Sequence, residues 1–227
     1  THLRDHFPAP DALIIGEPSG WERGTLGYKG WVTYTLTAET DTAHPASNKA
    51  NACEIVIAAW DALVRWARDF NAGRSRAFEQ LTPTLRAMQS EGDGLRERAQ
   101  LRVTFRLPEG LAAPEIHSKV RQLIGPGIEI ETLPAAVPAF RAPKNTALVR
   151  AALAAIRAEG GTPRFVVKTG TSDMNMVAPA WGCPTIAYGP GDSSLDHTPK
   201  EHISLAEFQR SITVLRGILE RLSSAGA

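Results

Sequence analysis

Two histidines and several acids are crowded into one turn-rich stretch near the end of the chain, Gly189–His202. Its glycines and prolines predict a loop, and loops on a rigid scaffold often carry functional side chains. Ser204 and Glu207 follow it and predict a capping box that opens a helix. Imidazole and carboxylate groups beside a helix start could hold a metal ion. The other ligands are not local, so a solvated acidic loop is the alternative.

Two further polar stretches follow predicted strands. Glu17 comes just after the apolar run at 11–16, and Lys168–Asn175 follows the run at 164–168. Open α/β sheets place their sites at the carboxyl ends of strands. Glu17 could equally be a surface acid. His44 follows the first strand of the middle segment, and it could reach an adjacent or partner site or be a surface residue.

Length and composition describe an ordinary folded protein. The chain has 227 residues, 43% hydrophobic residues and a net charge of +1, which argues against disorder. The basic residues are dispersed, so we expect no nucleic-acid partner. No apolar run approaches about 18–20 residues, so we expect no membrane span and a cytoplasmic protein. Cys53 and Cys183 are then expected to be reduced.

The pattern of the middle segment differs from that of its flanks. Strands at 31–37, 81–89, 98–107 and 128–133 and helices at 51–70 and from Pro114 give the order β-α-β-β-α-β, a split βαβ arrangement. Such a sheet leaves one edge free, which predicts pairing with a second copy.

The flanks have an α/β pattern. The run at 11–16 predicts a buried parallel strand with neighbours on both sides, so we expect the chain to start midway through a domain as a fragment. Gly24–Gly30 is predicted to be a glycine-rich crossing and 134–143 a linker. A helix from Thr146, strands at 164–168 and 185–188 and a final helix follow. The final helix is expected to pack on a sheet through an apolar stripe, made of Leu205, Phe208, Ile212, Leu215, Leu219 and Leu222.

Four motifs together resemble a known family. Gly16–Trp21, Leu26–Gly30, Lys168–Asn175 and Tyr188–His202 are similar to motifs of the di-zinc aminoacylase/carboxypeptidase family, which includes acetylornithine deacetylase. The branch they most resemble releases lysine or ornithine from an amino-group carrier protein. The resemblance covers nearly the whole chain. It implies part of a zinc-peptidase-like α/β domain, at 1–30 and 142–227, interrupted by an inserted βαββαβ (ferredoxin-like) dimerisation domain at 31–141.

The resemblance also assigns roles to single residues. It implies that Glu17 is a carboxylate ligand of one zinc ion and His197 an imidazole ligand of the other, with two zinc ions, or cobalt in their place, per intact subunit. Arg106 would bind a substrate carboxylate through its paired N–H donors. The full set of residues implied to shape the substrate pocket is Lys29, Asp41, His44, Arg106, Lys168, Thr171, Ser172 and Asp173.

The sequence departs from the family pattern in two ways. The family has a His-x-Asp pair, a bridging Asp and a Glu-Glu pair that includes the general base, all upstream of the Glu17 motif, and none is present here. Asp41 stands where the family has a histidine that polarises the substrate carbonyl, and an acid there would repel a developing oxyanion.

These observations predict a metal-dependent amidohydrolase of amino-acid biosynthesis. It would release lysine or ornithine from a carrier protein or from an N-acetyl group, and it would act as a homodimer. The present chain is expected to be an inactive fragment with an incomplete zinc site. The alternative is a non-catalytic remnant that retains only dimerisation.

Overall fold

The computed structural model describes residues 6–44, 46–133 and 136–225. The ends of the predicted flanks (1–5 and 226–227), Pro45, and positions 134–135 of the predicted linker lie outside the described residues. The chain divides into two compact units. One unit holds the described residues up to Tyr28 and from Phe140 onward, and the other holds Lys29–Ala139. The domain assignment at 31–141 stays a prediction.

The described residues form nine strands and five α-helices. The strands are β1 (Leu13–Ile15), β2 (Arg23–Tyr28), β3 (Gly30–Asp41), β4 (Thr82–Gly92), β5 (Arg96–Leu107), β6 (Ile128–Thr132), β7 (Phe140–Arg141), β8 (Arg164–Lys168) and β9 (Thr185–Ala187). The helices are α1 (Ala52–Phe70), α2 (Ala113–Ile124), α3 (Ala147–Ala158), α4 (Met174–Trp181) and α5 (Leu205–Ala225), with a 3-10 turn at Ala77–Glu79.

The first unit is built on a five-stranded mixed sheet. Its order is β1-β9-β2-β7, and β8 also pairs with β2. β1 runs parallel to β9, and β2 runs parallel to β8 but antiparallel to β7 and β9. Within the described ranges β1 pairs with β9 alone, and its three residues are only half-buried. The parallel pairing agrees with the predicted type of strand, while its second neighbour stays a prediction.

Two predicted connections contain strands. Gly24–Gly30, expected to be a crossing, holds β2, whose glycines allow close backbone approach: a Cβ at Gly27 would lie 2.7 Å from the carbonyl oxygen of Phe140. The expected linker holds β7, and Val137 bridges Trp31. Glycine and proline predicted loops in both stretches. In β2 the glycines are needed for close backbone contact, and β7 is at the edge of its sheet, where nearby prolines are tolerated.

Helix α4 was not predicted from the sequence. It contains Pro179 and ends at Gly182, which adopts a left-handed backbone with φ 65° and donates its N–H to Ala178 O at 2.9 Å. A proline within a helix and a glycine after it are typical of chain breaks. Only eight residues long, this helix depends on packing, and Met174 and Ala178 are buried against Tyr28 and Ala187.

Helix α5 packs through a different face from the one expected. Five of the six stripe residues are exposed, from 37% for Leu215 to 80% for Leu205, and Leu222 is half-buried. Ser211, Val214 and Ile218 are buried instead. The helix is apolar on two faces, and α3 offers the second face a surface of small residues, Ala151, Ala152 and Ala155.

The second unit is a four-stranded antiparallel sheet in the order β4-β5-β3-β6. Its elements follow one another in the order β-α-β-β-α-β. β3 alternates between Val32, Tyr34, Leu36 and Ala38, which form the core with α1 and α2, and three threonines on the other face. Thr33 and Thr104 hydroxyls share a hydrogen bond of 2.8 Å on that polar face. No helix in the described ranges is long and apolar enough to cross a membrane.

The observed orientation of α5 predicts how two isoleucines of this helix differ. Ile218→Ala should lower the free energy of unfolding by about 2–5 kcal/mol, because it leaves a cavity against α3. Ile212→Ala, at a side chain that is 46% exposed, should cost less than about 1 kcal/mol. Urea unfolding of both variants measures the difference. Equal losses would contradict the observed orientation.

Candidate functional site

Two loops with predicted site residues leave adjacent strands of the first unit. β1 and β9 are parallel neighbours, with Leu13 opposite Thr185 and Ile15 opposite Ala187. The carboxyl ends of parallel strands meet at one edge of a sheet. The Glu17 turn therefore starts beside the loop that leads to His197.

The two loops are also bonded to each other at their bases. Tyr188 donates its N–H to Ile15 O at 2.9 Å, and Ser19 donates its N–H to Gly189 O at 2.9 Å. A Cβ at Gly189 would lie 2.8 Å from the carbonyl oxygen of Glu17, closer than two such atoms can come. Only glycine leaves room for the second loop to pass directly beside Glu17.

Side chains from distant parts of the unit hold the Glu17 turn. Lys168, at the end of β8, donates from Nζ to Pro18 O. Tyr188 donates from Oη to Trp21 O at 2.8 Å, and Glu207 of α5 accepts from Trp21 N–H at 3.0 Å. Lys168 therefore positions the backbone after Glu17, while its implied role toward substrate stays a prediction.

Glu17 is half-buried and lies near charged groups of both signs. Burial raises the pKa of its carboxyl group, the charges of Lys168 and His197 lower it, and those of Asp196 and Asp173 raise it further. Burial lowers the pKa of Lys168, while Asp196 and Glu17 counteract this. Carboxylates near Glu17 disfavour its charged form and would favour a cation bound beside it. Asp196 received no role from the sequence, although its position beside His197 was a usable signal.

His197 has an unusual backbone. Its φ of 61° makes it the one non-glycine residue with positive φ among those described. Its N–H donates to Glu201 Oε2 at 2.9 Å, and its side chain is exposed. Such conformations cost about 1–3 kcal/mol and concentrate at functional sites. The strain supports a functional role for this histidine.

The stretch Lys168–Asn175 is organised around two buried polar residues. Ser172 donates its N–H to Asn175 Oδ1 at 3.1 Å, and Asn175 donates from Nδ2 to Tyr28 O at 3.2 Å. These bonds fix the start of α4 against the end of β2. Thr171 is half-buried and Asp173 is exposed in the same loop. The pocket roles implied for Thr171, Ser172 and Asp173 stay predictions.

The described residues do not form a complete metal site. No three His, Cys, Asp or Glu side chains come together there in a way that could hold an ion. Structural zinc sites use four ligands and catalytic ones about three protein ligands. Glu17 and His197 supply one carboxylate and one imidazole, so these residues alone do not fit a closed zinc centre.

The second unit carries Lys29 and Arg106 at one end of its sheet. Lys29 is fully buried and donates from Nζ to Ala77 O at 3.1 Å, to Thr82 Oγ1 at 3.2 Å and to Gln80 O. Burial and the charge of Arg106 lower the pKa of Lys29 to about 8. Burial and the nearby charge of Arg86 lower the pKa of Arg106. Neighbouring cations of this kind would favour an anionic ligand, and the carboxylate role of Arg106 stays a prediction.

Asp41 and His44 lie at the opposite end of the same sheet. Asp41 is highly exposed, with Oδ1 3.8 Å from Arg96 Nε, and His44 is exposed and accepts from Ala46 N–H at 3.1 Å. Both line a pocket of about 550 Å³. At about 3.3 Å per strand residue, Lys29 and Asp41 are on the order of 40 Å apart. The pocket residues of this unit therefore do not gather at one place.

Comparison with known proteins gives one family and a group of named relatives. A model of "Peptidase family M20/M25/M40" matches residues 2–221. The [LysW]-lysine hydrolase of Deinococcus radiodurans is 44% identical over 97% of the chain, which covers 61% of that protein. A putative [LysW]-lysine/[LysW]-ornithine hydrolase of Thermococcus kodakarensis is 37% identical over 96% of the chain, which covers 57% of that protein. The chain thus spans about three fifths of the length of these relatives.

Solved structures share the fold at low sequence identity. An M20 family metallo-carboxypeptidase from Sulfolobus solfataricus superposes with a TM-score of 0.73 at 15% identity, over 96% of the chain and 65% of its own length. The di-peptidase Dug1p of Saccharomyces cerevisiae superposes with a TM-score of 0.71 at 12% identity, over 94% of the chain and 59% of its own length. The described secondary structure therefore forms a known α/β arrangement.

The contact between Gly189 and Glu17 predicts the effect of one added methyl group. Gly189→Ala should lower the free energy of unfolding by about 1–3 kcal/mol, because the Cβ displaces the backbone of Glu17. Gly170→Ala is the control, since a Cβ there meets nothing within 4 Å, and it should change stability by less than about 0.5 kcal/mol. Urea unfolding compares the two. A neutral Gly189→Ala would show that the loops are not in contact.

Proposed function

The chain belongs to the peptidase family M20/M25/M40, and we propose that its residues serve a metal-dependent hydrolase that releases lysine or ornithine from a carrier protein. The single observation that carries the proposal is the junction of the Glu17 turn and the His197 loop at the carboxyl ends of β1 and β9. The names of the 44% and 37% identical relatives support the lysine or ornithine product.

The proposal assigns a limited share of the chemistry to these residues. Glu17 and His197 would each ligate one of two zinc or cobalt ions, with Asp196 and Asp173 as further carboxylates near Glu17. The remaining ligands and the general base would have to come from residues other than those described, so the 227-residue chain by itself is proposed to be inactive. Arg106, beside Arg86, would bind a carboxylate of the substrate.

A chimera tests the proposed hydrolase. The matched region of the Deinococcus relative is replaced by this chain, while the other two fifths of the relative are kept. The chimera should retain zinc and release lysine from the carrier-linked substrate, measured by chromatography of the free amino acid. The 227-residue chain, assayed beside it, should do neither. An inactive chimera that is folded and holds zinc would contradict the proposal.

Variants of the chimera test the assigned roles. Glu17→Gln and His197→Asn should each lower lysine release by more than the roughly 10- to 100-fold that the loss of an outer-shell partner costs at a metal site. Asp41→His should raise turnover by roughly 100-fold if this position must donate to the developing oxyanion. His44→Ala should change little. Loss of activity in His44→Ala with no response to Asp41→His would assign the donor role to His44.

A non-catalytic dimerisation protein is the second candidate. It is favoured by Asp41, an exposed acid paired with Arg96 where a carbonyl-polarising donor is needed. The same chimera separates the candidates, because a remnant would stay inactive even when the relative supplies the missing groups and Asp41 is replaced.

We also propose that the second unit mediates a homodimer. β4 is the outer strand at one edge of its sheet and is exposed along nearly its whole length. An exposed edge is a template for pairing with another chain. A dimer would also give Asp41 and His44, which lie far from Lys29, a way to act in the site of the partner.

The dimer predicts a response to proline at this edge. Ser90→Pro in β4 should block the pairing of two edges, because proline has no N–H to donate and is bulky at a strand. Sedimentation should then show a monomer in place of a dimer. Ser90→Ala keeps the backbone N–H, so it is the control and should stay dimeric. A dimer that survives Ser90→Pro would exclude this edge.

A further inference from the structure

Glu207 connects the two loops of the candidate site through one oxygen atom. Its Oε1 accepts from Trp21 N–H at 3.0 Å and from Gly191 N–H at 3.1 Å. Trp21 ends the turn that begins at Glu17, and Gly191 begins the loop that leads to His197. The position of each loop is therefore fixed relative to the first turn of α5.

These contacts differ from what the sequence motif predicts. In a capping box the acid accepts from the backbone N–H of the capping residue, Ser204. The structure has only half of this motif: Glu207 N–H donates to Ser204 Oγ at 3.4 Å, whereas the carboxylate bonds to Trp21 and Gly191. The side chain that would stabilise the helix start is used to hold two loops.

The energetics favour an acid at this position. Hydrogen bonds from backbone N–H groups to a carboxylate are shorter and stronger than neutral ones. An acid in the first turn of a helix is also stabilised by the helix dipole. Glu207 is half-buried, so water competes less for these two donors than on an open surface.

The residue that Glu207 holds is fixed on three sides. Tyr188 Oη donates to Trp21 O at 2.8 Å, and the guanidinium of Arg210 lies 5.0 Å from the centre of the Trp21 ring. Glu207 and Arg210 are one helical turn apart on α5. The carboxylate of Glu207 also binds the second loop at Gly191, beyond the bond between Ser19 and Gly189 at the loop bases.

We propose that Glu207 is a positioning residue, which sets the separation of Glu17 and His197 by holding the Glu17–Trp21 turn and the Gly189–His197 loop on one carboxylate oxygen. The inference rests on the proposed function only in assigning Glu17 and His197 to the site. A purely stabilising helix cap is the rival explanation, and it predicts no coupled change in the two loops.

Amide hydrogen exchange of the metal-free 227-residue chain tests the contact directly. Glu207→Ala should speed exchange at Trp21 N–H and Gly191 N–H together, by roughly tenfold or more, because both lose a charge-assisted acceptor. Tyr188 N–H, which bonds to Ile15 O, should keep its rate. Glu207→Gln keeps an oxygen acceptor and should restore slow exchange at both amides.

A matched control removes the same charge from the same helix. Glu220 is an exposed acid of α5 that pairs with Arg216 at 3.7 Å, and Glu220→Ala should leave both exchange rates unchanged. If Glu207→Ala does not fold, Glu207→Asp is used instead, because its shorter side chain moves the carboxylate away from both amides. A change at only one amide, at neither, or equally in Glu220→Ala would overturn the proposal.

The effect on activity is measured separately in the chimera. Glu207→Ala should lower the turnover number at least about tenfold while Glu207→Gln restores most of it. Faster exchange without any loss of turnover would overturn the positioning role. A chimera that is inactive with Glu207 in place would contradict the proposed hydrolase alone, because the exchange result requires no activity.

Discussion

The parallel pairing of β1 and β9 is the interaction on which the candidate site depends. It brings two stretches of chain, about 170 residues apart, to one edge of the sheet, and each of them continues directly into a loop with a predicted metal ligand. Yet both strands have three residues, and so short a ladder can hold little by itself. The loops are held mainly by contacts beyond the strands, from Tyr188, Lys168, Glu207 and the bare backbone of Gly189.

The two units position their candidate site residues in different ways. The second unit, as far as the structure describes it, has long strands, two covering α-helices and a continuous apolar core. Its polar residues therefore stand on a sheet and are spread along its length. The described part of the first unit has short strands and three α-helices, and its candidate residues stand on loops or strand ends that side chains must fix one by one. This difference explains why single buried or half-buried polar groups, such as Asn175 and Glu207, carry so much of the local order there.

The sequence predicted the elements of the second unit because each has a clear period. β3 alternates between apolar and polar residues, and α1 has an apolar face. The structure adds a capping box between Asn51 and Glu54 at the start of α1. Periodicity failed for α5, because two apolar faces compete on one helix and only the shape of α3 selects between them. It failed for β2 and α4, because their glycines and Pro179 predict breaks that tertiary packing overrides.

The same division applies to the candidate site. Glu17 and Lys168 could be located from the sequence, since a polar residue after an apolar run predicts a strand end, and His197 stood out in its acidic loop. The roles of Tyr188 and Glu207 could not be predicted in this way. Their contacts join residues that are far apart in the chain, and local pattern contains no information on such partners.

The close approach of Gly189 to Glu17 has a consequence for how such a chain can change over generations. The carbonyl oxygen that excludes a side chain at Gly189 belongs to the backbone, so it is present whatever residue occupies position 17. Loss of the acid would therefore not release the glycine from its constraint, whereas an inserted residue in either loop would disturb both. Changes in the lengths of the two loops are therefore coupled, even though most of the chain separates them.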